Sequence, residues 1–384
     1  MSMRERSVNK PSIPQVLQFC HGYDGPFLDC ARQYARLFYD TPYRVTTVYM
    51  TGAPNNEAIQ GSASNEVIFL NYNSIEIRGL KWQAIRDIHR VTATRQFSFC
   101  IAHRFKPIYV ALLATRLPVI GVHHAFNDYQ RVPRRIFAHI FRHRLALLGV
   151  SNAVRDNIRA SLPSWPHDRI ETLYNRIDID VVQSEQLTHE TARAALKLPQ
   201  DAWIVGNVGR LHPDKDQTTL IRAFACALPQ LPPGSLLAIM GNGKMEAPLK
   251  ALARELNVVK SIQFLGHVPN ARCYFKAFDA FVLSSDHEPF GMVLLEAMAA
   301  GVPLICSDCG GGREVVAGIG DLFPFKNVDV LAERLVNMAS NKTPDDYPAH
   351  TARHLQQHFS DQAGRETFWR LESVRKLVEN KIVL

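Results

Sequence analysis

The stretch SSDHEPFGMVLLEAMAAG, residues 284–301, places two carboxylates eight positions apart, Glu288 in a turn and Glu296 in a helical pattern. Pro289 stiffens the turn, and Gly291 precedes the apolar run that predicts the helix. The start of a helix leaves backbone N–H groups unpaired and carries partial positive charge, so it attracts anions such as a diphosphate. Glu288 would lie beside that anion, and Glu296 could accept two hydroxyl groups of a ribose. The alternative is a turn acid followed by a solvated helix residue.

Two further loops with glycine follow predicted strands in the second half of the chain. Glycine lets the backbone approach a ligand closely, and the cations Arg and Lys suit phosphate oxygens. Either loop could instead be an ordinary strand-end turn with solvated side chains. The candidate residues are Gly209, Arg210 and Lys215 in the first loop, and Gly241, Asn242 and Gly243 in the second.

These loops need a scaffold, and the chain shows short apolar runs that alternate with helical patterns. Such alternation predicts α/β architecture with doubly wound parallel sheets. The pattern stops near 170–180 and restarts, so we expect two Rossmann-like domains, residues 1–175 and 176–360, with a hinge near 176–198. A length of 384 residues agrees, because single cores stop growing near ~250–300 residues. Residues 361–381 predict one long helix, which could pack back on the first domain.

In open parallel sheets, ligands bind at the carboxyl ends of the strands. If the two sheets present these edges to each other, a cleft forms between the domains. The loops that follow strands in the first half therefore supply further candidates. They include His103, Arg104 and Lys106, which follow the apolar run FSFCIA.

Composition and charge narrow the possible classes of protein. The net charge of +8 is uneven, since residues 1–175 hold 22 Lys and Arg against 12 Asp and Glu. Any anionic partner would therefore meet the first half. We find no apolar run of ~18 residues and no secretory leader pattern, and the seven scattered Cys are typical of reduced thiols. We expect a cytoplasmic protein.

Taken together, the motifs resemble the retaining glycosyltransferases of family 4. The resemblance rests on EPFGMVLLE with AMAAGVPLICSDCGG after it, on GNVGRLHPDKDQTTLIRAF before it, and on GVSNAVRDNI and LYNRIDID. It covers roughly residues 145–335 well and the first half loosely. It implies a GT-B fold and metal-independent transfer of a sugar from a nucleotide sugar, with retention at the anomeric carbon and no cofactor.

The resemblance also implies roles for particular residues. Glu288, Arg210, Lys215 and one of His123 and His124, with His123 favoured, would act at the reacting centre. The donor would contact Gly209, Gly241, Asn242, Gly243, Phe290, Gly291, Met292, Val293 and Glu296. Gly25, His103, Arg104 and Lys106 would contact the acceptor.

The sequence departs from the family pattern at two places. HGYDGPF separates Gly22 from Gly25, where the family has a pair of glycines near the phosphates. LYNRIDID has Tyr174 and Arg176 where Pro and Gly are common in the family. Its Asp178 and Asp180 have a D-x-D spacing, which resembles the metal motif of another glycosyltransferase fold. We interpret that spacing as the interdomain turn.

The segment YQRVPRRIFAHIFRHR, residues 129–144, predicts a helix with five Arg and no acid. Its periodicity places Arg131, Arg135 and Arg142 on one side and Phe137, Ile140 and Phe141 on the other. This is compatible with a buried apolar face and a solvated basic face. It is also compatible with a surface for anionic lipid headgroups or a phosphorylated glycolipid.

We therefore expect an enzyme of surface-glycan assembly, such as lipopolysaccharide core, at the inner membrane face. Its acceptor would be an anionic glycolipid or oligosaccharide. One alternative is a nucleotide-sugar epimerase on the same architecture, which would need further acid/base carboxylates. Another is a basic nucleic-acid-binding protein, which would show steeply salt-dependent binding. We find no nucleic-acid recognition motif, so we expect no nucleic acid as a partner.

Overall fold

The computed structural model describes residues 13–341 and 343–379, and these form two compact units. One unit contains the described residues up to His123, Arg131–Leu148 and the chain from Trp369. The other contains His124–Gln130 and Gly149–Phe368. The division predicted after residue 175 places residues 149–175 differently, and it stays a prediction.

The first sheet has seven strands in the order β3-β2-β1-β4-β5-β6-β7. The pairs of β1 with β2 and β4, of β2 with β3 and of β4 with β5 are parallel. β2 and β3 lie on one side of β1, and β4 pairs with its other side. The order in which successive strands are added to the sheet therefore reverses between β1 and β4. The strands are β1 Gln15–Cys20, β2 Arg44–Thr51, β3 Glu66–Tyr72, β4 Phe97–His103, β5 Val119–His123, β6 Leu145–Gly149 and β7 Ile170–Thr172.

Six helices of the first unit flank this sheet or its loops. The helix predicted over 129–144 is shorter in the structure. It begins only at Val132, with Pro133 in its first turn, where the missing N–H of proline is tolerated. Two helices, α2 and α3, were not predicted. The helices are α1 Phe27–Ala35, α2 Asn56–Gly61, α3 Trp82–Ala93, α4 Phe105–Ala114, α5 Val132–Ile140 and, at the end of the chain, α16 Glu372–Glu379.

The second sheet has six strands in the order β10-β9-β8-β11-β12-β13, and all neighbouring strands in it are parallel. This is the doubly wound arrangement, in which the order of successive strands along the sheet reverses between β8 and β11. Ligands bind at that switch in open α/β sheets. The strands are β8 Ile204–Val208, β9 Leu236–Met240, β10 Ile262–Gly266, β11 Ala280–Leu283, β12 Leu304–Ser307 and β13 Asp321–Phe323.

The helices Gln217–Ala227, Glu246–Glu255 and Val328–Ser340 pack with this sheet around a core that includes Leu220, Phe224, Ile239 and Val282, each fully buried. The segment 176–198, where the hinge is expected, contains two helices, Ile179–Glu185 and His189–Leu196, and Asp178 caps the first of them. The helices are α6 Asn152–Ser161, α7 Ile179–Glu185, α8 His189–Leu196, α9 Gln217–Ala227, α10 Glu246–Glu255, α11 Met292–Ala299, α12 Gly312–Val315, α13 Val328–Ser340, α14 Tyr347–His358 and α15 Asp361–Arg370.

The predicted single helix over 361–381 is also wrong. It is divided into α15 and α16 by Leu371, which is not helical. The division lies next to the point, between Phe368 and Trp369, where the chain passes from the second unit to the first. A continuous amphipathic pattern does not show that its two ends pack in different units. Residues 380 and 381 of that prediction lie outside the described residues.

Candidate functional site

The loop after β11 positions Glu288 at the carboxyl edge of the second sheet. Gly291 ends this loop with φ of 97°, a left-handed conformation that favours glycine. A Cβ there would also lie 2.9 Å from Leu294 Cδ1. Helix α11 begins at the next residue and is almost entirely apolar, and Glu296 is its half-buried fifth residue. The predicted start of the helix is therefore confirmed.

The loop after β8 meets the loop after β11 through an ion pair. Lys215 Nζ lies 2.5 Å from Glu288 Oε2, and the two side chains are only 19% and 12% exposed. Two hydrogen bonds fix the approach, since Ser284 Oγ donates to the Lys215 carbonyl (2.9 Å) and the Asp286 N–H donates to the Asp214 carbonyl (2.9 Å). The cation and the acid thus occupy the switch between β8 and β11.

A third loop, after β12, closes on the backbone of Glu288. The Gly311 N–H donates to the Glu288 carbonyl at 2.7 Å. A Cβ on Gly310 would lie 2.4 Å from the same carbonyl oxygen, so that position has no room for a side chain. The Cys309 thiol donates to the carbonyls of Ser285 and Asp286, and burial raises its pKa. Cys309 therefore ties the two loops together, as a structural thiol after β12.

Gly241 and Gly209 bring the loops after β9 and β8 into direct backbone contact. A Cβ on Gly241, whose φ is 140°, would lie 1.9 Å from the Gly209 carbonyl oxygen. No atom lies within 4 Å of a Cβ built on Gly209, so one side of this backbone is open. A cavity of about 220 Å³ borders it, lined by Val208, Gly209, Arg210, Met240, Gly241, Asn242, His267, Val268 and Ala271.

Arg210 differs from Lys215 in its surroundings. Its side chain is 72% exposed and lies 3.4 Å from the Asp214 carboxylate, a contact that solvent screens. Asp214 also accepts from His212 Nδ1 at 2.5 Å. Arg210 can therefore turn toward an anion in the adjacent cavity at little cost. Lys215 could bind the same anion only while sharing its charge with Glu288.

Glu314 is a residue of this region that the sequence reasoning missed. Its two carboxylate oxygens accept from the backbone N–H groups of Asn152 and Ala153, both at 2.8 Å, and from the Tyr174 hydroxyl at 2.9 Å. Burial raises the pKa of Tyr174, and the Glu314 charge adds to that shift. Glu314 thus caps α6 from a helix that follows the Gly310–Gly311 loop. The only signal in the sequence is an acid two residues after the GGG of residues 310–312.

In the first unit, Arg104 adopts a strained backbone at the carboxyl end of β4. Its φ of 72° and ψ of 162° fall in a region that is essentially reserved for glycine and costs about 1–3 kcal/mol for other residues. Its N–H donates to the Val122 carbonyl at 2.8 Å, and its guanidinium lies 4.2 Å from the centre of the Phe27 ring. The fold therefore holds this cation at a strand end against a local cost.

The other residues predicted to contact the acceptor lie at or after the carboxyl ends of β1 and β4, which are neighbours in the sheet. Burial, together with the charges of Arg104 and Lys106, lowers the pKa of His21 to about 4. His103 is buried against the Tyr34 ring, with 4.7 Å between ring centres. Gly25 has φ of 58° and open space around it.

The two candidate histidines after β5 fall in different units. His123 is fully buried as the last residue of β5. His124 is half-buried in the segment 124–130 of the second unit, where the Phe126 ring packs edge-on against His287 at 6.0 Å. His287 is the residue before Glu288. Within the second unit, His124 is therefore only two residues from a contact with the Glu288 loop.

The part of the chain that contains the loops after β8, β9 and β11 is similar in sequence to known glycosyltransferases. Residues 188–355, fewer than half of the chain, match the family "Glycosyl transferases group 1". An uncharacterized glycosyltransferase of Methanocaldococcus jannaschii is 32% identical over 177 residues, which cover 44% of each chain. LpsE of Rhizobium meliloti, a lipopolysaccharide core biosynthesis glycosyltransferase, is 38% identical over 119 residues, 31% of this chain and 34% of that protein. The chain thus spans less than half of these relatives' length.

The fold is shared with a solved structure over nearly the whole chain. HepE of Anabaena, solved in complex with UDP, superposes with a TM-score of 0.74 and 18% identity, over 97% of this chain and 100% of that one. This likeness and the two parallel sheets confirm the predicted GT-B fold. Over residues 13–341 and 343–379, no helix has the length and apolarity needed to cross a bilayer.

Proposed function

We propose that this protein is a retaining glycosyltransferase, which moves a sugar from a nucleotide-diphosphate sugar to a hydroxyl group of an acceptor. The observation that carries the proposal is the Lys215–Glu288 ion pair at the switch between β8 and β11. The loop that holds Lys215 also contains Gly209 and borders the cavity. All of these residues lie within the segment 188–355 that matches glycosyl transferases group 1. The UDP in the HepE structure supports a nucleotide-sugar donor.

Each polar group has a proposed role in binding the donor. The diphosphate would interact with Arg210, Lys215 and the N-terminus of α11, and the base would enter the cavity beside Gly209 and Gly241. Glu296 would accept the ribose hydroxyls, and Glu288 would accept hydroxyls of the sugar. Further backbone and side-chain contacts would come from Asn242, Gly243, Phe290, Gly291, Met292 and Val293.

The proposed chemistry follows from the charge that develops in the reaction. Negative charge grows on the diphosphate as the sugar departs, and fixed cations with helix N–H groups stabilise that charge. We propose that these cations act in place of a metal ion. The acceptor hydroxyl would attack from the face that the diphosphate leaves, and a phosphate oxygen would take its proton. A part for His123 or His124 rests on the family resemblance.

We propose a surface-glycan precursor as the acceptor. LpsE, a lipopolysaccharide core enzyme by name, supports this class. The strained Arg104 with Lys106 beside it would suit an acceptor that carries phosphate. Gly25 and His103 would complete these acceptor contacts.

The first test is a thermal-shift screen with UDP, GDP, ADP and dTDP, followed by release of the nucleoside diphosphate from the matching nucleotide sugar in EDTA. Glu288→Gln should fold normally and lose at least ~100-fold in turnover, because it loses both a charge and the ion pair. Glu255→Gln, an exposed acid at the end of α10, is the matched control. If none of the nucleotides raises the melting temperature and Glu288→Gln turns over normally, the proposed activity is wrong.

A further inference from the structure

Helix α5 exposes three apolar side chains, and one of them, Ile140, belongs to the side that the sequence pattern places opposite the arginines. Val132, Ile136 and Ile140 are 52%, 55% and 61% exposed. Their spacing of four residues places them on one helical face. Of the two interpretations of this segment, a buried apolar face that includes Ile140 is therefore excluded. The reason is that α4 supplies an aromatic surface, which Phe137 contacts instead.

That aromatic surface joins α5 to the loop before α3. The Tyr109 and Phe137 rings are 4.9 Å apart, and Lys81 Nζ lies 4.9 Å from the centre of the Tyr109 ring. The neighbours of Lys81 in sequence, Leu80 and Trp82, are 58% and 70% exposed. The loop tip 80–82 and α5 are thus parts of one surface of the first unit, which we call the apolar rim.

Cations lie along the apolar rim. Arg134 stands over the Phe105 ring at 4.5 Å, and Arg131 and Arg135 flank the exposed face of α5. Lys106 and Arg134 lie close enough to lower the pKa of Lys81, after burial as the main cause. The segment 75–82 contains one acidic residue, Glu76, whose carboxylate accepts a hydrogen bond from the Asn73 N–H at 2.7 Å. The rim therefore combines exposed Trp, Leu, Ile and Val with a net positive charge.

We infer that the apolar rim docks on the surface of an anionic lipid bilayer. Exposed aliphatic side chains and a Trp with surrounding Lys and Arg are the composition of interfacial segments, which insert shallowly while their cations contact lipid phosphates. The positive charge of the apolar rim favours an anionic bilayer over a second copy of this chain, because a second copy would bring the same cations against those of the rim. The docking does not depend on the transfer reaction.

The test is co-sedimentation of the full chain with vesicles of phosphatidylcholine alone or with 40% phosphatidylglycerol. Wild type should bind the anionic vesicles at least tenfold more tightly, and 0.5 M NaCl should weaken that binding, since each cation near such a surface contributes about fivefold. Ile136→Ser with Ile140→Ser should reduce binding by about 10- to 100-fold through lost apolar transfer. Arg131→Gln with Arg135→Gln should reduce it about 10- to 30-fold.

The matched control is Val259→Ser with Lys260→Gln, an exposed apolar and cationic pair on the second unit, which should bind vesicles as wild type does. Trp82 is the exposed one of the four Trp, so its emission should shift to the blue on anionic vesicles and not in Trp82→Phe. Absence of binding to anionic vesicles, or equal binding by the Ile136/Ile140 variant, would overturn the inference. The inference would also be overturned if sedimentation velocity showed that these substitutions disrupt a dimer of the chain while vesicle binding stays at the wild-type level. Nucleoside-diphosphate binding should be unchanged in these variants.

Discussion

Replacing Glu314 by Gln should destabilise the second unit although the change is nearly isosteric. The carboxylate accepts three hydrogen bonds, two from the first N–H groups of α6 and one from Tyr174. Gln retains one acceptor oxygen and turns an NH₂ group toward a donor, so at least one of these bonds is lost. Bonds to charged groups contribute about 1.5–3 kcal/mol each. Loss of the charge at the helix N-terminus adds about 0.3–1 kcal/mol.

The expected cost is therefore about 2–4 kcal/mol in the free energy of unfolding of the second unit. Urea titration followed by circular dichroism measures it, and hydrogen exchange over residues 152–161 locates it. Glu333→Gln, an exposed acid on α13, serves as the control and should stay within about 0.5 kcal/mol of wild type. A double-mutant cycle with Tyr174→Phe should give a coupling of about 1–2 kcal/mol. Equal stability of Glu314→Gln and Glu333→Gln would refute the capping role.

Three further predictions concern other parts of the molecule. Gly241→Ala should lower the free energy of unfolding of the second unit by about 2–4 kcal/mol and abolish nucleoside-diphosphate binding in calorimetry, because the added Cβ meets the Gly209 carbonyl. The control Gly234→Ala, at a glycine with positive φ but open space, should lower it by only about 1 kcal/mol. Equal losses in the two variants would contradict the prediction. Glu296→Ala should weaken nucleoside-diphosphate binding about tenfold by calorimetry, and unchanged affinity would remove the ribose role. His21 has a pKa lowered from 6.5 to about 4, so the unfolded chain binds a proton that the folded chain excludes. Stability of the first unit should then fall by about 1–2 kcal/mol as pH drops from 6.5 to 4, after allowance for solvent screening, and His21→Gln should lose that slope in calorimetric melts.

Most strands of both sheets were predictable because they are short apolar runs bounded by polar loops, whereas β7 and β13, of three residues each, are too short to show such a pattern. QVLQFC and FSFCIAH are such runs, and they form β1 and β4. The start of α11 was equally clear, since Gly291 separates a polar turn from a long apolar run. The loops of the candidate site follow from strand ends, because parallel strands bring their carboxyl ends to one edge.

Helix boundaries were less predictable because they depend on partners distant in sequence. The pattern over 361–381 is continuous, yet the chain enters another unit at Trp369. The amphipathic pattern of 129–144 did not show that Ile140 is exposed while Phe137 is covered, because the surface that covers Phe137 comes from α4. Periodicity shows that a helix has two faces, but it does not show which elements will cover each face.

By itself, the sequence determined the α/β class, the order of the strands along the chain and the loops that carry Lys215, Gly241 and Glu288. These features depend on local periodicity and on glycine, which are properties of neighbouring residues. The tertiary structure alone decided that Lys215 contacts Glu288 and that Glu314 caps α6. These contacts join residues 73 and about 160 positions apart. No local pattern specifies such pairs, because they form only where the packing of strands and helices brings the loops together.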